Sequence, residues 1–452
     1  MPRRSDLVAW DHRYLWHPFT QMQEWLAEEP LVVAKAQGNY LVDVRGRRYL
    51  DGVASLWCNV HGHRHPRLDR ALRRQIGRVA HSTLLGLANV PSIECARELV
   101  SVAPPGLTRV FYSDSGATAV EVALRMAAQY WQLVGAPRRT RFVSLTEGYH
   151  GDTLGAVSVG YSETFHRFVR PLLFEALKLD PPHVFRWHRR LPPEEAEAEA
   201  LAQARETFSR HAEEIAALVI EPIVQGAAGM WTHSPRYLRE VARLAKEAGA
   251  LVICDEVATG FGRTGRMFAV EHAELSPDLL CLGKGITGGY MALAATLARE
   301  EIFEAFLGPY EEFRAFFYGH TYTGNPLACA VALENLRIFR EEATVEKARA
   351  LSRVLADLLE RFVAPLPAVG DIRQAGCMIG IELVRDRETR LAYKPRDRIG
   401  ARVCGEVRRY GVVLRPLGSV IVLMPPLSLR SDEAEHLVRS TAQAIADVTR
   451  MA

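Results

Sequence analysis

The chain has 452 residues, of which 48% are hydrophobic and 24% are charged, and these proportions are typical of a folded globular protein. Its 56 basic and 53 acidic side chains nearly balance, with a net charge of +3 and no basic tract, so no nucleic-acid partner is expected. No stretch approaches the roughly 18 consecutive apolar residues that a membrane span needs, so we expect no membrane-spanning helix. The seven cysteines are scattered and form no Cys-x-x-Cys pair, so we expect a cytoplasmic protein without a disulfide framework.

Short apolar runs alternate with amphipathic helices over residues 61–326, and this region is expected to be a large cofactor-binding domain. Such uninterrupted runs are typical of strands covered on both faces, as in a parallel sheet. Two of the helices between them are expected at Thr118–Trp131 and Pro235–Ala248. The alternation predicts a doubly wound α/β domain with a mostly parallel central sheet. The expected strands are Arg109–Tyr112, Arg141–Leu145, Ala217–Ile220, Leu251–Cys254, Leu279–Leu282 and Met291–Leu297.

The pattern changes after Pro326, where residues 327–452 predict a smaller α+β domain. We expect this domain to be joined by an N-terminal segment, residues 1–60. The charged stretch Pro192–Glu214 is expected to be a solvated helix without a function. The elements expected in the smaller domain are helices at Leu327–Phe339, Val345–Val363 and from Ser431 towards Thr449, with β-like stretches at Asp371–Val384, Gly411–Leu414 and Val420–Leu423.

Asp255 and Lys284 each follow a buried strand, and they are 29 residues apart, about one strand–helix unit. Because ligands of parallel sheets bind beyond the carboxyl ends of the strands, both side chains are expected in one crevice. Apolar surroundings lower the pKa of a lysine and free its amine for Schiff-base chemistry. An aspartate opposite could hold the protonated ring nitrogen of pyridoxal 5′-phosphate. Spacing alone leaves a second interpretation, a buried ion pair that only supports the fold.

Two further strand ends carry candidate cofactor contacts. Ser115-Gly116-Ala117 opens a helix, and the free N–H groups of a helix N-terminus suit a phosphate, although Ser115 could simply cap the helix. Tyr149 follows another strand, where its ring could stack on a cofactor or pack in the core.

Two other motifs are not expected to bind anything. The segment Gly260–Gly265 matches G-x-G-x-x-G, but its first glycine does not follow the strand directly and Arg263 occupies a crowded turn position, so NAD is not expected. His61, His63 and His65 alternate closely without a nearby cysteine or carboxylate cluster, so no metal is expected.

Taken together, these residues resemble the class III aminotransferases, which are transferases of nitrogenous groups with the α/β, aspartate aminotransferase-like fold-type I of pyridoxal-phosphate enzymes. The resemblance covers nearly the whole chain. The N-terminal LWHPFTQM points to the branch that transfers an amino group to 8-amino-7-oxononanoate, giving 7,8-diaminononanoate in biotin synthesis. The matching stretches are LWHPFTQM (15–22), DGVASLWCNVHGHRHP (51–66), SDSGATAVEVAL (113–124), GYHGDTLGAVSVG (148–160), EPIVQGAAGM (221–230), the segment 251–289 around CDEVATGFGRTG and LGKGITGG, GHTYTGNPLACAVALENL (319–336) and LRPLG (414–418).

The resemblance implies a role for each matching residue. Lys284 would bind pyridoxal 5′-phosphate covalently and carry the transferred proton, Asp255 would pair with the ring nitrogen, and Tyr149 would stack on the ring. Gly116 and Ala117 would bind the phosphate through their backbone, with Ala117 replacing a serine common in the family. The family is homodimeric with shared active sites, so Thr321, beside His320, would complete the phosphate site from the partner subunit. The small-molecule substrates would contact the remaining residues, Gly319, Arg415 for the carboxylate, and Phe19 and Trp57 as apolar walls.

Some of these roles have alternatives, because Arg415 could form a surface ion pair, and Phe19 and Trp57 could be core residues. For the amino donor, lysine is slightly favoured over S-adenosylmethionine. Family members that use S-adenosylmethionine have tyrosine, tryptophan and tyrosine where this chain has Phe19, Leu56 and Val422. The alternative functions are another class III ω-aminotransferase (acting on ornithine, 4-aminobutyrate or a β-amino acid), an aminomutase of the same fold, or a non-catalytic or nucleotide-binding protein.

Overall fold

The structure is a computed structural model that describes residues 3–450. These residues form α-helices at α1 (Arg4–Tyr14), α2 (Met22–Trp25), α3 (Ala54–Trp57), α4 (Pro66–Ile76), α5 (Val90–Val102), α6 (Gly116–Leu133), α7 (Leu154–Val159), α8 (Glu163–His166), α9 (Pro193–Arg210), α10 (Pro235–Glu247), α11 (Glu300–Ala305), α12 (Pro326–Glu341), α13 (Thr344–Phe362), α14 (Ile399–Glu406) and α15 (Ser431–Arg450). Short 3-10 helices lie at Arg167–Leu172, Ala269–Ala273, Lys284–Thr287, Tyr310–Glu312, Pro395–Asp397 and Val407–Tyr410.

The strands of the same residues are β1 (Val33–Gln37), β2 (Tyr40–Asp43), β3 (Arg48–Asp51), β4 (Leu107–Ser113), β5 (Arg141–Leu145), β6 (Leu177–Leu179), β7 (Ile215–Ile220), β8 (Val224–Gln225), β9 (Trp231–Thr232), β10 (Leu251–Asp255), β11 (Leu279–Leu282), β12 (Ala294–Arg299), β13 (Val369–Ala375), β14 (Met378–Asp386), β15 (Leu391–Ala392), β16 (Val412–Val413), β17 (Arg415–Leu417) and β18 (Val420–Leu423).

A seven-stranded sheet forms the centre of the molecule, in the order β4-β12-β11-β10-β7-β5-β6. All its adjacent pairs are parallel except the two made by β12, which runs antiparallel to both β11 and β4. Every residue of β7, β10 and β11 is buried, because helices cover both faces of the sheet, and this explains the uninterrupted apolar runs in the sequence. The prediction of a doubly wound, mostly parallel sheet is confirmed.

Three details of this region differ from the predictions. Strand β12 begins at Ala294 rather than at Met291, because Thr287 exchanges hydrogen bonds with the Met291 backbone in the preceding turn. Strand β6 was not predicted, since it has three residues and a polar Lys178 at its centre. Helix α9 is not solvated all round, and the prediction is wrong for one of its faces, which is buried through Ala196, Ala200, Leu201, Ala204 and Phe208.

Two smaller sheets and the two-stranded β8–β9 hairpin lie outside the central one. The first contains β13-β14-β18-β17, with β15 on β14, and the second has the order β1-β2-β3-β16. In the second sheet, β16 pairs in parallel with β3, so the N-terminal strands share a sheet with a strand of the C-terminal region. The three-part division at residues 60 and 326 stays a prediction, and this pairing supports it. Between residues 3 and 450, no helix combines the length and the apolar character that crossing a bilayer requires.

Candidate active site

A cavity of about 470 Å³ opens where β5, β10 and β11 end, beside the N-terminus of α6. Parallel strands expose their carboxyl ends at one edge, which is why side chains from segments far apart in sequence meet there. The structure brings six of the predicted residues to its wall, Trp57, Gly116, Ala117, Tyr149, Asp255 and Lys284. Sequence reasoning missed other lining residues, among them His150, Gly151, Asp152 and Glu221.

Asp255, the last residue of β10, is 4% exposed and held in a fixed orientation. One carboxylate oxygen accepts the Val257 N–H at 3.0 Å, and the other lies 2.8 Å from Nδ1 of the buried His150. Because an ionised carboxylate can only accept, His150 is the donor in this contact. The sequence signal for His150 was its position in the same strand-end segment as Tyr149.

Lys284 follows β11 and opens a 3-10 helix with a φ of +40°. Burial lowers the pKa of its ammonium group, whereas the carboxylates of Asp255 and Glu221 raise it. The lowered pKa increases the fraction of neutral amine, the form that attacks a carbonyl carbon. Its Nζ lies 5.5 Å from the centre of the Trp57 ring, so the indole forms the wall beside the amine.

The N-terminus of α6 faces the cavity with a reciprocal capping arrangement. The Ser115 hydroxyl accepts the Thr118 N–H, and the Thr118 hydroxyl accepts the Ser115 N–H, at 3.3 and 3.0 Å. Ser115 therefore caps the helix as in the simpler interpretation. The N–H groups of Gly116 and Ala117, however, lie in the first helical turn and have no partner within the helix. These two donors, at the positive end of the helix dipole, suit an anion.

The Tyr149 ring lies at another wall of the cavity. Its hydroxyl donates to Asp152 at 2.8 Å, and its backbone N–H donates to Glu221 at 3.0 Å. The His166 ring is nearly parallel to the Tyr149 ring, with centres 6.5 Å apart. Burial, together with the Asp152 carboxylate, raises the pKa of the Tyr149 hydroxyl, so it stays protonated near neutral pH.

Glu221 begins the matching stretch 221–230 but is not among the predicted site residues. Its carboxylate is 5% exposed and accepts the backbone N–H groups of Tyr149 and Gly226, the latter at 2.8 Å. Burial is the main cause that raises its pKa to about 7, and the Asp255 carboxylate adds to it.

The remaining predicted residues lie outside this cavity in the single chain. Phe19 is 57% exposed and contacts Phe165, and Arg415 is half-buried on β17, opposite Val422 of β18. Gly319 and Thr321 are exposed, while His320 is hydrogen-bonded to Asp114, next to the capping residue of α6. The roles given to these five residues stay predictions.

The groups around the cavity fit pyridoxal 5′-phosphate. The cofactor needs an amine for its aldehyde, an anion for its protonated ring nitrogen and N–H donors for its phosphate. Lys284, Asp255 and the first turn of α6 supply these three groups around one cavity. An ion pair with a purely structural role would need neither the cavity nor the free N–H groups.

The family model for class III aminotransferases matches residues 22–445, almost the whole chain. The chain belongs to the class III aminotransferase family. It is an α/β transferase of fold-type I, and its cofactor is pyridoxal 5′-phosphate, on which this family depends.

This chain is similar over its full length to relatives named adenosylmethionine-8-amino-7-oxononanoate aminotransferase. The relative from Nitratidesulfovibrio vulgaris is 53% identical over 99% of this chain and 83% of its own length. The relative from Geobacter sulfurreducens is 48% identical over 98% of both chains.

Solved structures of similar proteins superpose closely on this chain. The Methanocaldococcus jannaschii protein of the same name has a TM-score of 0.94 and 44% identity, covering 98% of this chain and 99% of its own. An (S)-enantioselective ω-transaminase from Thermomicrobium roseum also has a TM-score of 0.94, at 36% identity over 98% of both chains.

Proposed function

We propose that this aminotransferase transfers an amino group to 8-amino-7-oxononanoate and forms 7,8-diaminononanoate, a step of biotin synthesis. The observation that carries the proposal is the full-length similarity to relatives whose names specify this acceptor. The cavity supports it, because its amine, carboxylate and anion-binding N–H groups are those that transamination with pyridoxal phosphate requires.

Bound pyridoxal phosphate supplies the electron sink that stabilises negative charge on the substrate carbon next to the amino group. Asp255, oriented by His150 and by the Val257 N–H, would hold the protonated ring nitrogen of the cofactor. Lys284 would hold the cofactor through its Nζ, and the same amine would take the proton from the donor carbon. In the second half-reaction, Lys284 returns a proton to the carbon of the acceptor that becomes the new amine carbon.

Arg415 is the residue that we assign to the carboxylate of the acceptor. Arg409 and Arg430, from the same C-terminal region, form ion pairs with Glu406 and Asp432, whereas Arg415 has no carboxylate partner among residues 3–450. This observation argues against the alternative of a surface ion pair. A guanidinium group can hold a carboxylate through two parallel hydrogen bonds, while Trp57 provides an apolar wall for the hydrocarbon chain.

For the amino donor we infer lysine. Phe19, Leu56 and Val422 offer no hydroxyl or indole group to a nucleoside, and the side chains of Phe19 and Leu56 are exposed, apolar surface. Such positions suit a donor without an adenine ring better than S-adenosylmethionine. The names of the relatives carry adenosylmethionine, so this donor belongs in the same assay.

We further infer a homodimer with shared active sites in the cytoplasm. Thr321 is exposed and lies outside the cavity of its own chain, as expected for a residue that serves the partner's phosphate site. All seven cysteines are free, and six of them are buried, which is compatible with a reducing compartment.

A second candidate function is that of a general ω-aminotransferase with a broader range of amines. The observation in its favour is that the ω-transaminase from Thermomicrobium roseum superposes as well as the Methanocaldococcus jannaschii protein.

The visible absorption spectrum of the purified protein tests these proposals, with lysine, S-adenosylmethionine and 7,8-diaminononanoate added separately. We expect the yellow cofactor band to be bleached by the diamine and by lysine. Bleaching by S-adenosylmethionine and not by lysine would overturn the donor. A band that the diamine leaves unchanged, together with efficient turnover of pyruvate or 2-oxoglutarate, would favour the second candidate.

A further inference from the structure

The short element α3 (Ala54–Trp57), which carries Trp57, is a tight turn with a partly non-helical backbone. Ala54, Ser55 and Trp57 have φ values of +49°, +62° and +63°, the left-handed region that favours glycine. A side chain in this region strains the backbone, and the strain is tolerated only where surrounding contacts impose the conformation. The Trp57 side chain that this turn presents is 8% exposed and lines the cavity beside Lys284.

A buried carboxylate holds this turn. Asp51, the last residue of β3, is fully buried, and its two oxygens accept the Ser55 N–H at 3.0 and 2.8 Å. The Val53 N–H points at the same carboxylate, at 3.4 Å. Hydrogen bonds from backbone N–H groups to an ionised carboxylate are stronger than those between neutral groups, so they can offset part of the backbone strain.

His63 in turn fixes that carboxylate. Its Nε2 lies 2.9 Å from Asp51 Oδ2, and its Nδ1 lies 3.0 Å from the amide nitrogen of Asn59. Because the carboxylate only accepts, the Nε2 hydrogen of His63 points at Asp51. The His63 backbone is itself anchored by two hydrogen bonds to Gly38, from the strand region of the N-terminal segment.

We propose that His63 is a positioning residue for the acceptor site: it fixes Asp51, which holds the strained turn, and thereby keeps Trp57 at the wall of the cavity. This inference deepens the proposed function and rests on it for the identity of the acceptor. His63 is the middle member of the three alternating histidines at positions 61, 63 and 65. The other two have different partners, since His61 is hydrogen-bonded to Asn335 and His65 lies 3.8 Å from Glu342.

The first test measures the position of Trp57 without substrate. The fluorescence of Trp57 in the wild type is the emission spectrum of the wild type minus that of Trp57→Phe. In His63→Leu it is the spectrum of His63→Leu minus that of the double variant His63→Leu/Trp57→Phe. We expect the emission of Trp57 to shift to longer wavelength in His63→Leu, because the ring leaves its buried place. An unchanged difference spectrum overturns the proposal, whatever the acceptor is.

The second test separates positioning from folding. His63→Leu should raise KM for 8-amino-7-oxononanoate about tenfold, as expected for loss of one hydrogen bond to a charged group, with kcat changed less than about twofold. His63→Gln, which keeps a donor for Asp51, and the control His65→Leu should both retain the wild-type KM. Failure of His63→Gln to restore KM overturns the proposal.

A double-mutant cycle tests the route through Trp57. If His63 acts through that ring, His63→Leu should have no further effect on KM in a Trp57→Ala background. Additive effects overturn the proposal. If the wild-type protein does not accept 8-amino-7-oxononanoate at all, the proposed function is wrong. The fluorescence test then still decides the role of His63.

Discussion

Lys284 is subject to two opposing influences that together suit its chemistry. Burial lowers the pKa of its ammonium group, and the Asp255 and Glu221 carboxylates limit that decrease. The pKa of this ammonium group therefore lies below the usual lysine value, and the two carboxylates attract its charged form. Asp255 is oriented by hydrogen bonds from His150 and the Val257 N–H.

Replacing this amine tests the assignment most directly. Lys284→Ala should fold normally but lose turnover by about 10⁴-fold or more, because both covalent binding of the cofactor and proton transfer are removed. Steady-state kinetics with far-ultraviolet circular dichroism would measure both properties. The control is Lys347→Ala, a surface lysine 3.9 Å from Glu342. Near-normal turnover of Lys284→Ala would refute the assignment.

Ala117 offers a gain-of-affinity prediction. A serine here would add a hydroxyl to the first turn of α6, next to the free N–H groups. One added neutral hydrogen bond contributes about 1 kcal/mol, so Ala117→Ser should lower Kd for pyridoxal phosphate about fivefold. Equilibrium dialysis of the cofactor would measure this, with Ala202→Ser on the exposed face of α9 as control. An unchanged or raised Kd would contradict a phosphate at this turn.

At the scale of elements, the loop after β5 packs directly on the first turn of α6. Gly151 has a φ of +113°, and a Cβ added there would lie 2.3 Å from the Cβ of Ala117. Only glycine allows this approach, which sets the distance between the loop carrying Tyr149 and the anion-binding N–H groups.

We expect Gly151→Ala to force these two elements apart. Strain and overlap should lower the free energy of unfolding by more than about 1 kcal/mol and weaken cofactor binding at least about tenfold. Denaturant unfolding and cofactor titration would measure the two effects. The matched control is Gly405→Ala in α14, where an added Cβ meets nothing within 4 Å. Equal cofactor affinity in both variants would disprove the role of this contact.

Glu221 joins three segments, since it follows β7 and accepts N–H groups from the Tyr149 loop and from the β8–β9 hairpin. Its pKa is raised from 4.5 to about 7, mainly by burial. The folded protein therefore binds this proton more tightly than the unfolded chain, and its contribution to stability is lost as pH rises from about 4.5 through 7.

A Glu221→Gln variant removes this titration. The free energy of unfolding of wild type, relative to Glu221→Gln, should decrease by about 2 kcal/mol between pH 5 and pH 8. Denaturant unfolding at several pH values would give the difference. Glu195→Gln, on the exposed face of α9, should show no such trend. A difference that is constant with pH, or that grows, would contradict a raised pKa for Glu221.

For the whole molecule, the distribution of exposed apolar side chains supports the proposed dimer. Four of them, Tyr310, Phe313, Phe317 and Tyr322, lie in the same chain segment as Thr321, and Trp16, Phe19, Leu85 and Leu87 are exposed as well. Large exposed apolar side chains that cluster on one surface are typical of protein–protein interfaces.

Mixed dimers test whether sites are shared. Neither Lys284→Ala nor Thr321→Ala homodimers should be fully active, but a heterodimer of the two chains should regain one complete site if Thr321 acts in the partner's site. Refolding an equimolar mixture and measuring turnover per chain would show the recovery, with Lys284→Ala mixed with itself as control. No recovery would mean that Thr321 serves its own chain or neither.

The sequence predicted a strand correctly where an uninterrupted apolar run marks the whole strand. The bounds of β5 and β11 agree with the sequence prediction, whereas β6 and the antiparallel direction of β12 depend on pairing between distant segments. The glycine-rich segment 260–265 has a structural role, because the buried Arg263 donates to the backbone oxygens of Pro425 and Asn59.

The sequence by itself determined the class of enzyme, because Lys284 and Asp255, the residues to which we assign the chemistry, stand directly at the ends of apolar runs. Strand ends on the carboxyl side of a parallel sheet must meet, so local pattern implied long-range proximity. Only the tertiary structure decided which groups support them. His150, Glu221 and the Asp51–His63 pair act through contacts between segments distant along the chain or through a strained turn, and no local periodicity encodes these contacts.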